Sequence, residues 1–189
     1  MTEMIGPEQA GNIWESVIGR YYSDNRPLME LLITHSTLVA RKATAIALSH
    51  PELEADALFT YQAAMLHDIG IFKTDAAPIH CFGPHSYICH GYLGADILRN
   101  EGLPRHALVA ERHTGTGLTL EQIIGRNMPI PHREMVPVSI EEQLVCFADK
   151  FFSKTRPTQE KTVEQAIASL EKFGPEGVAK FRVWCDRFL

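Results

Sequence analysis

The chain has 189 residues, 45% of them hydrophobic and 22% charged, with a formal net charge of −5. That length suits one domain, residues 1–189, able to bury roughly 70% of the surface its unfolded form exposes, and the composition argues against disorder or fibre. The negative charge argues against tight binding to long nucleic acid, because phosphate backbones recruit basic surfaces; a local basic pocket for a small phosphate is compatible with it.

Met1 to Gly11 lacks a basic region followed by an apolar one, and no apolar run reaches membrane-spanning length, so a cytoplasmic protein without membrane contact is expected. Cys81, Cys89, Cys146 and Cys185 form no C-x-x-C pair and read as free thiols in a reducing compartment.

Apolar residues recur at helical spacing almost throughout, which predicts an all-α fold. The first helix is expected over Glu8 to Tyr22. Ser23, Asp24 and Asn25 are cap candidates for a second, whose inward face reads Leu28, Leu31, Leu32, His35, Leu38, Val39, Ala43 and Ile46, ending near His50-Pro51. A third runs from Leu53 to Gly70, and Thr74 to Pro84 reads as a loop. His85 to Asn100 and Pro104 to His113 are helical, the first with Gly91 and Gly94 permitting close backbone approach. Gly115-Thr116-Gly117 is a turn, Leu120 to Arg126 a brief helix, and the proline-rich Met128 to Pro137 a surface loop or lid. Ser139 with Glu142 predicts a capping box for the helix carrying Val145, Ala148 and Asp149. Two more helices, Thr158 to Phe173 and Pro175 to Leu189, pack on the core, with Trp184 and Phe188 offering a homodimer contact as the alternative.

On this scaffold His35, His67, Asp68, His90, His113 and Asp149 sit at inward positions or helix ends. A buried histidine or carboxylate is costly without a partner. Each residue alone has a bland explanation as a satisfied core group; the six together point to metal. His67 and Asp68 diverge by roughly 100° on an ideal helix, so Asp68 reaches the site only if the helix frays at Gly70, where its two oxygens would suit a bridge between cations. Four imidazoles and two carboxylates favour iron, manganese, zinc or cobalt over calcium.

His35, then Leu66-His67-Asp68-Ile69-Gly70, then Asp149-Lys150 resembles the signature of the HD-domain superfamily of metal-dependent phosphohydrolases, in the branch where the pair is followed by Ile-Gly; the resemblance covers Leu28 to Ser153. It implies a single helical-bundle domain, residues 28–153 forming its metal-binding core and 158–189 the helices packed on it. His35, His67, Asp68 and Asp149 would bind one metal. His90 and His113 fall where two-metal branches carry two further histidines, in segments similar to bacterial HD enzymes that split diadenosine tetraphosphate symmetrically. The Gly-Tyr-Pro motif of cyclic-di-GMP phosphodiesterases is missing after His113, and the lysine that commonly follows Ile-Gly closely appears only at Lys73.

The reaction expected is hydrolysis of a small phosphate ester or anhydride, of the nucleotide or dinucleotide polyphosphate class, by a metal-bound hydroxide at a two-metal site, with two divalent transition metals and iron favoured. Asp68 would bridge, and Lys73 is the first choice for a catalytic cation ahead of Arg112, Lys150 and Lys154. His80 or His85 could supply a proton to the leaving oxygen, and His132 lies in the proline-rich loop. The alternatives are a di-iron oxygenase of the same superfamily and a non-catalytic metal-binding sensory domain.

Overall fold

The computed structural model describes residues 13–156 and 158–189; the predicted start of the first helix at Glu8 lies outside them. The fold is all-α, with a sheet of three very short strands. Helix α1 (Ile13–Tyr22) leads into α2 (Arg26–Ser49). Of the three cap candidates Asn25 is used: its Oδ1 accepts the N–H of Leu28 at 3.2 Å. The third helix starts later than expected. A 3₁₀ turn at Pro51–Leu53 follows α2, and Asp56 caps α3 (Ala57–Leu66) by accepting the Phe59 N–H at 2.9 Å. Aspartate competes for nearby backbone N–H groups, which is why it starts this helix rather than sitting within it.

The segment read as a loop carries strands β1 (Thr74–Ala76) and β2 (Cys81–Phe82), and β3 (His85–Ser86) takes the predicted start of the next helix; the order is β2-β1-β3, antiparallel through Ala76↔Cys81 and parallel through Asp75↔Ser86. Strands of two or three residues are too short to register as alternation. A 3₁₀ turn at Tyr87–Cys89 then delivers α4 (His90–Asn100), later than the predicted start at His85. Backbone approach here is as close as the glycines foretold. A Cβ on Gly70 would lie 2.3 Å from the His90 carbonyl oxygen and 2.4 Å from the Gly94 nitrogen. Gly70→Ala is therefore expected to push α4 off the turn and to destabilise the chain by about 2 kcal/mol or more, read as a lowered midpoint in urea; an unchanged midpoint would contradict the close packing.

Helix α5 (Pro104–Arg112) and α6 (Leu120–Gly125) follow, the latter opened by a capping box between Thr119 and Gln122. Gly115 and Gly117 both take positive φ, +62° and +96°, in the expected turn. Residues 128–137 lack regular structure but form no lid. Ile130 and Met135 are buried, Leu118 and Met135 exchange backbone hydrogen bonds at 2.9 Å, and Arg133 bonds the buried carboxylate of Glu111. Before α7 (Ile140–Asp149) only half of the predicted capping box forms. Ser139 Oγ accepts the Glu142 N–H at 3.2 Å, but Glu142 turns to the Val138 N–H and to Arg112, each at 2.9 Å.

Helix α8 (Val163–Leu170) starts after the predicted Thr158, because Thr162 and Gln165 form its capping box, and α9 (Pro175–Phe188) closes the chain. Trp184 and Phe188 are buried within the chain, the Phe188 ring 5.3 Å from that of Phe147, so they form core rather than a dimer contact. One core cluster joins α2, α3 and α7 to these last two helices, and a second joins α1 and the start of α2 to α4 and α5. No described helix is long and apolar enough to cross a membrane.

His106 on α5 packs its ring edge against Phe59 at 4.9 Å, and its Nε2 finds no partner. Burial, helped by Arg105, pushes it down from 6.5 to about 4. Between those pH values the unfolded chain binds a proton that the folded chain refuses, so this stability is complete above the unfolded value and lost as pH falls. Against wild type, His106→Phe is expected to lose roughly 2–3 kcal/mol less stability on acidification through that window, measured by urea unfolding; equal losses would contradict the buried neutral imidazole.

Candidate metal centre

The six predicted ligands meet at one point. His35 stands midway along α2; the others come from helix ends. His67 and Asp68 follow α3 as it unwinds, His90 opens α4, His113 follows α5 and Asp149 ends α7. The fraying expected at Gly70 begins at His67, and it turns the Asp68 carboxylate inward. Two groups of ligand atoms result, each within 4.8 Å of one another: His35, His67, Asp68 and Asp149, and Asp68, His90 and His113. Asp68 is common to both.

Three of the histidines are oriented in the same way. The Nδ1–H of His67, His90 and His113 donates to the carbonyl three residues earlier, Ala64 at 2.6 Å, Tyr87 at 2.6 Å and Ala110 at 2.8 Å. A carbonyl only accepts, so one ring proton is held at Nδ1 and each Nε2 points inward, its lone pair open to a cation once any second proton has left. The Nε2 atoms of His90 and His113 are then 3.1 Å apart, lone pair against lone pair. His67 Nε2 and both oxygens of Asp68 are buried without a well-formed hydrogen bond, and their contacts are with charged groups: Asp68 Oδ2 lies 3.1 Å from His67 Nε2 and 2.5 Å from the Lys154 ammonium. Such atoms are expensive unless a cation satisfies them. The residues present fit a metal.

Charge inside the cluster is arranged around the two carboxylates. Burial opposes ionisation of Asp68, yet the charges of His67 and Lys154 hold it well below the usual carboxylate range; Lys150 and His35 do the same for Asp149. Burial likewise works against a charged His67, but Asp68 and Asp149 outweigh it and raise it to about 9. His90 is driven down to about 3 by burial, and His113 is lowered for the same reason. One proton at His67 thus fills part of the positive charge the aspartates demand, and metal binding would release it.

Three of the ligands, His90, His113 and Asp149, line a pocket of about 190 Å³ that is also bordered by Tyr87, Thr114, Lys150, Lys154, Lys161 and Lys172, among others. Lys154 Nζ lies 2.5 Å from Asp68 Oδ2, and Lys150 Nζ 2.6 Å from Asp149 Oδ2 and 3.0 Å from the His113 carbonyl. Lys73, the first choice from sequence, is not among the lining residues; its ammonium lies 6.0 Å from the Phe72 ring centroid. Arg112 is engaged by the buried Glu142, and His80, His85 and His132 are exposed and do not border the pocket. The structure thus brings Lys154 and Lys150, and not Lys73, to the predicted ligands. Lys154 lies in an irregular stretch just past α7, where no periodicity marks a direction.

Several proteins are similar to this chain. The uncharacterized protein MJ0778 of Methanocaldococcus jannaschii is 31% identical over 146 residues, 76% of this chain and 77% of its own length. Two proteins named tRNA (cytidine(56)-2'-O)-methyltransferase are also similar, from Thermoplasma volcanium (30% identical over 85% of this chain) and Picrophilus torridus (33% over 67%). The chain spans only 42% and 33% of those two proteins. No solved structure matches. The family model described as HD domain matches residues 32–153, a span that holds all six ligands and most of the helices that carry them: the chain belongs to the HD domain family.

Proposed function

We propose that the protein is a metal-dependent phosphohydrolase that cleaves a small phosphate ester or anhydride, of the nucleotide or dinucleotide polyphosphate class, at a site for two divalent transition metals, iron foremost. The observation that carries this reading is a pair of ligand groups sharing Asp68 beneath a pocket bordered by four lysines, in a chain of net charge −5. Basic groups concentrated at one pocket of an acidic protein suit a small anion.

Bound metals would polarise a phosphoryl oxygen and bring the pKa of a water toward neutrality. The chain's own residues do the rest. Asp68 serves both ligand groups, and the carbonyls of Ala64, Tyr87 and Ala110 hold three imidazoles with Nε2 inward. Lys154 brings a positive charge to the centre, where negative charge develops on the phosphoryl group. Lys150 orients Asp149. The methyltransferase activity in the names of two relatives belongs to proteins more than twice as long as the part this chain matches.

The test is phosphate release from mono- and dinucleotide substrates by chain purified without chelator, with oxygen uptake measured in parallel. Metal-dependent phosphate release supports the reading. Oxygen uptake without phosphate release would replace it with the oxygenase, and neither activity in metal-loaded protein would favour the sensory domain.

A further inference from the structure

The lysines around the pocket divide into two kinds. Lys150 and Lys154 each lie within ion-pair distance of a ligand carboxylate, Asp149 and Asp68. Lys161 and Lys172 have no carboxylate partner at that distance among the described residues: the Lys161 ammonium donates to the Lys150 carbonyl at 3.3 Å, and that of Lys172 lies 5.1 Å from the Phe173 ring centroid. Asp149 is the one carboxylate among the lining residues, against four ammonium groups. Filling the ligand groups with cations adds to this excess, and an excess of positive charge in a partly enclosed pocket is relieved by an anion.

Both unpaired lysines are held in place by backbone contacts. The Lys161 N–H donates to the Phe151 carbonyl at 2.8 Å, and Arg126 donates to the carbonyls of Lys172 and Phe173 at 3.2 and 2.8 Å. Both also lie beyond residue 153, where the family match ends. The helices of the family supply the ligands; the segment after them supplies these two cations. At about 190 Å³ the pocket is smaller than the roughly 300–1,000 Å³ of sites that enclose a drug-sized ligand. It suits the phosphate end of a substrate rather than a whole nucleotide.

We infer that Lys161 and Lys172 form a subsite for a second phosphoryl group, so that the substrate carries two adjoining phosphates, one over the metal ligands and one held by these lysines. The inference rests on the phosphohydrolase reading for the first phosphate, but its residues and its test are separate. Neither lysine touches a metal ligand side chain, and both are specificity-determining rather than catalytic.

The test is calorimetric titration of the full chain, metal content measured beforehand and afterwards, with two non-hydrolysable probes: methylenediphosphonate, which carries two phosphoryl groups, and methylphosphonate, which carries one. Wild type is expected to favour the first by tenfold or more. Lys161→Gln and Lys172→Gln should each weaken methylenediphosphonate binding by roughly tenfold, the scale of one charge-assisted contact, and methylphosphonate binding by less than threefold, with metal content unchanged. Equal wild-type affinity for the two probes, or equal losses for both in the variants, would overturn the subsite. Lysine-dependent preference for the diphosphonate in a chain that hydrolyses nothing would support the subsite while removing the hydrolase reading. Hydrolysis of phosphate monoesters with no such preference would do the reverse.

Discussion

Asp68→Ala is expected to abolish phosphate release, by a factor of about 10³ or more, and to lower the metal content at both ligand groups. Asp68 is the one residue common to the two groups, and it is fully buried. No other single change touches both groups. The substitution also leaves the Lys154 ammonium without the carboxylate 2.5 Å away, and breaking such a buried pair costs about 3–5 kcal/mol, somewhat less here because Lys154 is partly open to the pocket. Asp68→Asn keeps the shape and separates the two effects. It should fold, by circular dichroism, yet bind metal poorly, because an amide offers no negative charge to a cation. Full metal content in Asp68→Asn would refute the shared ligand.

The second large effect is expected at Lys154. Lys154→Met removes the charge but keeps most of the apolar stem, and phosphate release should fall by about 10² to 10³, the scale of one lost electrostatic stabiliser, with metal content retained. The loss should appear chiefly in kcat if the ammonium acts on charge that develops during reaction. Lys73→Met should leave the rate near wild type, since Lys73 does not border the pocket. A comparable loss in Lys73→Met, or none in Lys154→Met, would reverse the assignment of cations made here.

That assignment marks the line between what was legible in the residues and what was not. Helical periodicity placed α2, α5, α6 and α9 nearly to the residue, because an apolar stripe and its caps are local signals. His35 is readable as a costly polar group on such a stripe, and the fraying that turns Asp68 inward follows from the unwinding beside Gly70. Short elements and competing caps were hidden. The strands at 74–76, 81–82 and 85–86 are too short to show alternation, and Asp56 and Thr162 shortened helices whose patterns ran longer. Residues 128–137 read as a surface loop or lid because prolines forbid regular structure, and Arg133 and Met135 tie them down through Glu111 and Leu118. Lys154 and Lys161 come from irregular segments, where sequence spacing says nothing about direction, and Lys172 from the 3₁₀ turn Glu171–Phe173 that follows α8.

The most direct test of the central claim is elemental analysis of protein purified without chelator, alongside His90→Ala and His113→Ala. The account predicts about two transition-metal ions per chain, falling toward one in each variant as the group formed by Asp68, His90 and His113 is broken. A single ion per chain, unchanged in both variants, would contradict it, reducing His90 and His113 to structural residues and the site to a mononuclear one.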